Sequence, residues 1–130
     1  MDLTILNDNE LEKVTHEQYA SATRIKIRNC ENISEITHSL VLGVFLDNCN
    51  SIITVNTLSA ESIFIKNCNN IETINAPMAK SICVSHCENV ESINAPKADN
   101  VGFFHCYKLR SYRVFKKDYH SISHCPLLGQ

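Results

Sequence analysis

The sequence predicts a repeat solenoid, a fold in which short coils of parallel β-structure stack on one another. Three observations support this prediction. Six of the seven cysteines are spaced 19 residues apart, apolar residues recur at fixed distances from these cysteines, and apolar and polar residues alternate just before each one. One such coil cannot bury its own apolar side, whereas a stack of coils shares a continuous core. The periodic cysteines are Cys30, Cys49, Cys68, Cys87, Cys106 and Cys125.

The apolar residues around each periodic cysteine form columns along the predicted stack. The columns three residues before and three residues after the cysteine stay apolar through all six coils. The column five residues before it is apolar until the last coil, where it contains His120. The alternation over residues 63–65 is typical of a strand with one buried face, and a turn follows the apolar positions after the cysteine. Each coil is therefore predicted to contain one short strand and an irregular return path.

One coil shows the repeat clearly, through Ala60, Ile63, Ile65, Cys68, Ile71 and Ile74. This pattern resembles the leucine-rich repeat, with Ile and Val replacing most leucines and Cys at the usual asparagine-ladder position. The segments 75–77 and 94–96, both Asn-Ala-Pro, are similar to the proline-bearing return of short bacterial-type repeats. The resemblance covers roughly residues 22–128, and the 19-residue spacing is one below the usual range of about 20–29.

The resemblance implies a right-handed β-solenoid of about six coils with one parallel sheet. A coil of 19 residues leaves no room for a helix on the convex side, so we expect little or no convex helix and an extended or polyproline-like return. A three-sided parallel β-helix is the structural alternative, because its rungs can be of similar length. The solenoid is assigned to residues 22–130.

Residues 1–21 do not follow the repeat and are assigned to an N-terminal cap. Asn9 and Glu12 have the spacing of a capping box, which predicts a short helix over about residues 10–20. Leu11 and Val14 should face one side of this helix. Solenoids need a cap with a polar outer face for solubility, so the helix is predicted to cover the first coil.

The composition limits the partners and the compartment. The chain has 130 residues, which suits one domain, and a net charge of −2, so no global attraction to nucleic acid or to an anionic membrane is expected. No apolar run approaches the ~18 residues needed to span a bilayer. The first residues lack the basic and apolar regions of a secretory signal. The periodic cysteines are predicted to be buried, reduced thiols, which indicates a cytoplasmic or nuclear protein.

The strand residues between the buried ones should point outward on the concave side, a surface that we call the strand face. Phe45 and Phe64 should lie side by side on it, with Phe104 further along the stack. Contiguous exposed phenylalanines with a charged rim are typical of a protein interface, and high β-propensity alone is the other explanation. The candidate partner-binding residues are Lys26, Arg28, Phe45, Asp47, Phe64, Lys66, Cys83, Ser85 and Phe104.

The sequence gives little indication of catalysis. Cys83 is the one cysteine outside the periodic series and should lie on the strand face, but a reactive thiol needs a neighbouring cation. No phosphate-binding loop, nucleophile elbow or paired-carboxylate motif fits the register of the repeat. We therefore predict no catalytic residue, no metal and no cofactor.

The residue just before each periodic cysteine is polar in every coil. Stacked at about 4.8 Å, such side chains can form a hydrogen-bonded ladder, although three stacked histidines could instead bind a metal or titrate together. A metal- or redox-responsive protein acting through His105 or Cys83 therefore stays open as a third hypothesis. A shorter Asn column, at 56, 75 and 94, should satisfy backbone groups of the turn. The first column contains Asn29, Asn48, Asn67, His86, His105 and His124.

The C-terminal coil lacks an amphipathic cap, although the charged residues 116–118 lie close to it in sequence. An uncovered edge strand can pair with another chain. Three explanations of this edge stay open: the chain is a fragment of a longer array, the edge frays, or the edge pairs with a second copy. For the third, a homodimer, the candidate self-association residues are Ser121, Ser123 and His124.

The function predicted from these observations is a non-enzymatic protein-protein interaction scaffold that binds a protein partner on its strand face. A structural, self-associating repeat protein that pairs through the open C-terminal coil is the alternative. The resemblance implies recognition, signalling or adaptor roles without choosing among them, because a fold does not specify a function.

Overall fold

Two parallel β-sheets form the body of the molecule in the computed structural model, which describes residues 1–115 and 120–128. In spatial order, the seven-stranded sheet contains β1 (Asp2–Ile5), β2 (Arg24–Arg28), β4 (Gly43–Asp47), β6 (Ser62–Lys66), β8 (Ser81–Ser85), β10 (Asn100–Phe104) and β12 (Ser121–Ser123). The five-stranded sheet contains β3 (Glu35–His38), β5 (Thr54–Thr57), β7 (Thr73–Asn75), β9 (Ser92–Ala95) and β11 (Ser111–Val114). From β2 onward the chain visits the sheets alternately, so the molecule is a parallel β-solenoid of about six turns, as predicted.

The strands pair in register with the 19-residue period. Val44 lies opposite Ile63, which lies opposite Ile82, so each inward column of the sequence becomes a row of touching side chains. The columns five and three residues before the periodic cysteines form much of the core: Ile27 and Ile65, for example, are fully buried. Because a shift by one residue would turn every apolar side chain outward, the core itself specifies this register.

The prediction of a single sheet is wrong, because the return path of each coil also contains a strand. In β5, Val55 and Thr57 are buried and Asn56 is exposed, which is the alternation of a half-buried strand. Stacked coils bring equivalent extended segments within pairing distance, and Val55 lies opposite Ile74 of β7. With two strands in each coil, the architecture lies between the single-sheet leucine-rich-repeat arrangement and the three-sided β-helix.

The N-terminal cap begins with β1, which pairs with β2, and continues with two short helices, α1 (Asp8–Glu12) and α2 (His16–Ser21). The prediction of one helix over residues 10–20 is therefore wrong. The N-cap of α1 is Asn7 rather than Asn9, since the Asn7 side chain accepts a hydrogen bond from the Glu10 backbone N–H at 2.9 Å. Glu12, predicted at the third position of the helix, is its last residue.

A second capping signal explains why the helical segment is divided. Thr15 and Gln18 form a complete capping box at the start of α2, so the chain leaves helical geometry at Thr15 before it re-enters it. The first helix is held to the first coil by Asp8, whose carboxylate accepts hydrogen bonds from the backbone N–H groups of Glu31 and Asn32. The last described element is a 3₁₀ turn over Pro126–Leu128.

The six periodic cysteines are buried free thiols, as predicted. Each Sγ donates to the backbone carbonyl oxygen two residues earlier in its own coil, at 3.2–3.5 Å. Burial raises the pKa of Cys87 to about 11 and that of Cys106 to about 12. The six cysteines therefore act as small buried side chains with a weak donor, and burial suppresses the thiolate form of Cys87 and Cys106. Cys49 and Cys68 differ from these two, because the hydrogen bond between them lowers the pKa of Cys49 to about 7 and raises that of Cys68.

Candidate functional site on the strand face

The strand face consists of alternate residues of the seven-stranded sheet. Side chains four and two residues before each periodic cysteine point away from the core, since the buried positions five and three residues before it alternate with them. The structure adds a third outward column, six residues before the cysteine, which the sequence analysis missed. Extending the alternation of buried and outward residues by one position toward the start of each strand would have predicted this column. This column contains Arg24, Gly43, Ser62, Ser81 and Asn100.

Phe45 and Phe64 lie side by side, as predicted. The pairing of β4 with β6 places them directly opposite each other, and their rings are stacked with centroids 5.1 Å apart and planes 6° from parallel. Aromatic pairs of this kind contribute about 0.5–1.5 kcal/mol beyond the area that they bury. The side chain of Phe64 nevertheless remains 39% exposed. The pair is therefore an ordered apolar feature that stays accessible to a partner.

Two cations lie against Phe45. The ammonium nitrogen of Lys26 and the guanidinium carbon of Arg28 are each 5.2 Å from the centroid of the Phe45 ring, within cation–π range. Both come from β2, which borders β4 on the side opposite β6. Phe45 is thus held between Phe64 on one side and the two cations on the other, which fixes the position of its ring.

Asp47 joins two of the predicted basic residues. Its carboxylate oxygen Oδ2 lies 3.8 Å from Arg28 Nε and 3.9 Å from Lys66 Nζ, and Oδ1 accepts a hydrogen bond from Asn67 Nδ2 at 3.3 Å. Exposed ion pairs of this length contribute about 0–1 kcal/mol each. Their main effect here is to orient the charges: Arg28 and Lys66 share the single negative charge of Asp47, whereas Lys26 forms no ion pair among the described residues.

Phe104 belongs to the column two residues before the periodic cysteine, as predicted. Its ring, however, extends toward Gly102 in the column four residues before the cysteine. A Cβ atom added to Gly102 would come within 2.8 Å of the Phe104 ring, so this ring covers the space where Gly102 has no side chain. Any larger residue at this position would have to displace the ring. The ring of Phe104 therefore extends the column that contains Phe45 and Phe64.

Cys83 lies on the strand face between Phe64 and Gly102 in the strand register, as predicted. Its thiol is half-buried, and this burial raises its pKa. A raised pKa leaves less thiolate at neutral pH and so does not favour a nucleophilic role. Ser85, the neighbouring candidate, shares a hydrogen bond of 2.7 Å with His86 Nδ1.

The outward columns enclose a shallow groove, which we call the strand-face groove. It has a volume of about 690 Å³, within the range of about 300–1,000 Å³ typical of ligand sites. The groove forms because the column six residues before the cysteine contains small residues in its middle, namely Gly43, Ser62 and Ser81. Phe45 and Phe64 line one side of it. Of the predicted partner-binding residues it includes Lys26, Phe45, Phe64, Cys83 and Phe104.

The polar column before the periodic cysteines has two halves. In the first, Asn48 Nδ2 donates to Asn29 Oδ1 at 2.9 Å, as predicted for a ladder. In the second, the histidine rings stack instead, with centroids 4.5 Å apart for His86 and His105 and 4.3 Å apart for His105 and His124. Desolvation within the stack, followed by the charges of His124 and His86, lowers the pKa of His105. Among the described residues, no group of three or more His, Cys, Asp or Glu side chains is arranged to hold a metal ion.

The Asn column of the turn forms a ladder of its own. Asn75 Nδ2 donates to Asn56 Oδ1 at 3.0 Å, and Asn94 Nδ2 donates to Asn75 Oδ1 at 2.8 Å. The expectation that these side chains satisfy turn backbone groups is therefore wrong, because they lie in paired strands whose backbone groups already bond to neighbouring coils. The column stabilises the stack and stands apart from the strand face.

The candidate self-association residues lie at the edge of the seven-stranded sheet. Within the described part of the chain, β12 pairs with β10 alone, which places Ser121 opposite Gly102 and Ser123 opposite Phe104. The Ser123 carbonyl oxygen accepts a hydrogen bond from the His105 N–H at 3.0 Å, which leaves the other edge of β12 open among the described residues. The charged residues 116–118 lie outside the described residues.

His38 is a structurally important residue that the sequence analysis missed. It is buried, its Nδ1 accepts hydrogen bonds from the backbone N–H groups of Leu40 and Val41 at 3.1 and 3.0 Å, and its Nε2 lies 2.8 Å from the Tyr19 carbonyl oxygen. Since Nδ1 accepts, Nε2 carries the proton and donates to Tyr19. His38 therefore joins α2 to the first coil. Its polarity within an otherwise small or apolar column is the signal that could have identified it.

No family model, no curated protein and no solved structure matches this chain. Within the described residues, no helix is long and apolar enough to cross a membrane.

Proposed function

We propose that this chain is a non-enzymatic scaffold of the leucine-rich-repeat type that binds a protein partner on its strand face. The stacked pair of Phe45 and Phe64 carries this proposal, because it places accessible aromatic surface at the centre of a rigid sheet. Interface hot spots are typically aromatic or arginine side chains surrounded by a polar rim. Lys26, Arg28 and Lys66 supply such a rim, and Asp47 orients two of these three cations.

The non-enzymatic part of the proposal is supported by the chemistry of the same face. A nucleophile needs an adjacent base or a lowered pKa, and it needs a pocket that excludes water. Cys83 has a raised pKa, and the strand-face groove is shallow. The surface is better suited to binding through shape and charge than to a chemical step.

We place the protein in a reducing compartment, the cytoplasm or the nucleus. The support for this placement is chemical. All seven cysteines are free thiols, even though the periodic cysteines of neighbouring coils lie beside one another. Proteins of oxidising compartments commonly use their cysteines in disulfides, whereas thiols persist where glutathione and thioredoxin keep them reduced.

The test is affinity capture from the source cell with the wild-type chain and with the Phe64→Ser variant, followed by measurement of the affinity for any purified partner. Loss of a central anchor costs about 2 kcal/mol or more, which corresponds to at least about thirtyfold in affinity. Because Phe64 is already partly exposed, we expect the variant to fold and to lose the partner.

The matched control is Leu58→Ser, which removes an apolar side chain that is 54% exposed but lies outside the strand face. It should retain the partner at wild-type affinity, and urea unfolding should show that both variants are folded. Equal capture by wild type and Phe64→Ser, or loss in Leu58→Ser alone, would contradict the proposed binding face.

A second candidate function, self-association through the C-terminal coil, is favoured by incomplete burial at that end. Ile122 and Leu128 are only half-buried, whereas Phe103 and Leu109, their equivalents one coil earlier, are fully buried. A second copy of the chain would cover this apolar end and pair with the open edge of β12.

A further inference from the structure

We propose that the segment bound by the strand-face groove is an extended acidic peptide, with its carboxylates over β2 and its apolar side chains beside Phe45 and Phe64. This inference rests on the proposed binding function and adds the chemistry of the partner. Three properties of the groove carry it: its charge, its dimensions and the orientation of its aromatic rings.

The strand face has a charge opposite to that of the whole chain. Its four basic side chains and two acidic ones leave an excess of two positive charges (4 − 2), within a chain whose net charge is −2. Among the described residues, no carboxylate lies within ion-pair distance of Arg24 or Lys26. The basic residues are Arg24, Lys26, Arg28 and Lys66, and the acidic ones are Asp2 and Asp47.

The two unpaired cations lie at one end of the groove. Arg24 and Lys26 both belong to β2 and line the groove with Asp2, which lies opposite Arg24 in the strand register but forms no ion pair with it. Beyond β8, toward the C-terminus, the lining is neutral. A bound segment would therefore place its negative charge over β2 rather than at the far end.

The middle of the groove has the dimensions of a short extended segment. From β2 to β8 there are three strand spacings, about 14 Å, which about four extended residues would span. Gly43, Ser62 and Ser81 are small residues in the middle of the lining, and the groove lies above them. Apolar side chains of the segment would enter this space and contact the edges of Phe45 and Phe64.

The orientation of the rings disfavours a single-stranded nucleic acid as the occupant. Bases bind protein by stacking on open aromatic faces. Phe45 has Phe64 on one side and the cations of Lys26 and Arg28 on the other, so its faces are already covered. Phe64 is bordered on its second side by Cys83. The aromatic surface that remains suits aliphatic or aromatic side chains rather than stacked bases.

The experiment measures fluorescence anisotropy of labelled probe peptides with the full chain. The acidic probe has two glutamates followed by alternating leucine and serine, and its two counterparts carry glutamine or lysine in place of glutamate. We expect the acidic probe to bind at least about tenfold more tightly than the glutamine probe, with affinity that falls as salt is raised. The lysine probe should bind more weakly still.

Two variants locate the interaction on the groove. Arg24→Glu/Lys26→Glu should reverse the preference, so that the lysine probe binds more tightly than the acidic probe. Phe64→Ser should weaken every probe by about tenfold or more, since an apolar anchor is lost. Lys97→Glu is the matched control, because Lys97 is exposed and lies outside the groove. It should leave the acidic preference unchanged.

The outcomes separate this inference from the proposed function. Probes that bind regardless of charge, but are lost in Phe64→Ser, would overturn the acidic-peptide inference and leave the protein-binding proposal standing. Absence of peptide binding alongside partner capture that depends on Phe64 would do the same. Tighter binding of a single-stranded oligothymidylate than of the acidic probe, abolished by Phe64→Ser, would overturn the inference in favour of a nucleic acid.

Discussion

The residue before each periodic cysteine has a left-handed backbone in all six coils, with φ between 53° and 56°. Asparagine and histidine are among the non-glycine residues that adopt this conformation most readily. The sequence predicts that the column is polar and stacked, and the backbone explains why it contains only these two residue types. A periodic pattern shows which positions are equivalent without showing their φ values.

The stacked histidines of this column, His86, His105 and His124, predict that the stability of the fold depends on pH. The pKa of His105 is lowered in the folded chain relative to about 6.5 for a free histidine, so the unfolded chain binds more protons below that pH. Stability is therefore fully present above about pH 6.5 and is lost as the pH falls toward the lowered folded pKa. We expect His105→Asn to reduce this loss, because Asn fits the left-handed backbone and does not titrate.

The measurement is the urea midpoint at pH values between about 7.5 and 5.5, a range that brackets the pKa of a free histidine. His16→Asn is the control, since His16 is exposed in α2 and no ring stacks on it among the described residues. Parallel pH profiles for wild type and His105→Asn would show that the stack does not contribute to acid sensitivity.

At the scale of single elements, the sequence predicted the strands of the seven-stranded sheet better than the cap or the second sheet. The strands before the cysteines have a strong alternation that recurs in every coil. The capping signals at Asn7 and Thr15 are local and compete with the similar signal at Asn9, and only the packing of α1 and α2 on the first coil selects between them. Tertiary contacts of this kind are absent from a single-sequence pattern.

The attachment of α2 to β3 depends on His38. His38→Ala would remove the hydrogen-bond partner of the Tyr19 carbonyl oxygen and of the N–H groups of Leu40 and Val41. The Val41 group is buried, and a buried unpaired group costs about 1–3 kcal/mol. We expect a loss of at least about 2 kcal/mol in the free energy of unfolding, measured by urea denaturation. Protease cleavage near α2 should become faster as the helix detaches.

Thr57 provides a matched substitution in the same inward column. Its hydroxyl is buried without a hydrogen-bond partner among the described residues, so Thr57→Val removes an unsatisfied polar group at nearly constant volume. We expect this variant to be as stable as wild type or more stable, by up to about 1 kcal/mol. Destabilisation by Thr57→Val of about 1 kcal/mol or more would contradict this prediction, because it would mean that the buried hydroxyl stabilises the fold.

The two ends of the solenoid differ in how well they are covered. At the N-terminal end, α1 and α2 cover the first coil and present exposed polar residues. At the C-terminal end, the described residues leave Ile122 and Leu128 half-buried and leave both ring nitrogens of His120 buried without a hydrogen-bond partner. We expect self-association through the β12 edge to be symmetric, with the C-terminal ends of two copies facing each other.

The prediction at this scale is a concentration-dependent dimer, measured by sedimentation velocity. In a symmetric antiparallel pairing of two β12 edges, Ser121 of one copy would lie near Ser123 of the other. Ser121→Lys/Ser123→Lys would then place like charges opposite each other, which opposes edge pairing. We expect this double variant to remain monomeric at concentrations where the wild type dimerises.

The control for the dimer test is Ser62→Lys/Ser81→Lys, which adds the same charge to interior strands of the same face. It should dimerise as the wild type does. Both double variants should unfold at similar urea concentrations, since all four serines are at least partly exposed. A wild-type chain that stays monomeric at every concentration would contradict self-association through this edge.

The sequence by itself determined the repeat, the inward columns, the buried thiols and the neighbouring positions of Phe45 and Phe64. The physical reason is that a stack of identical coils converts spacing along the chain directly into contacts in space. Once the 19-residue period is known, residues that share a phase must touch, so Cys83 could also be placed between Phe64 and Gly102.

Only the tertiary structure decided the features that depend on how one coil differs from the next. The ring of Phe104 occupies the space left by Gly102, and His38 joins the cap to the first coil. The strand-face groove arises because Gly43 and two serines fall beside the aromatic column. These contacts depend on side-chain volume, direction and unpaired polar groups, which vary within a column while the period stays constant.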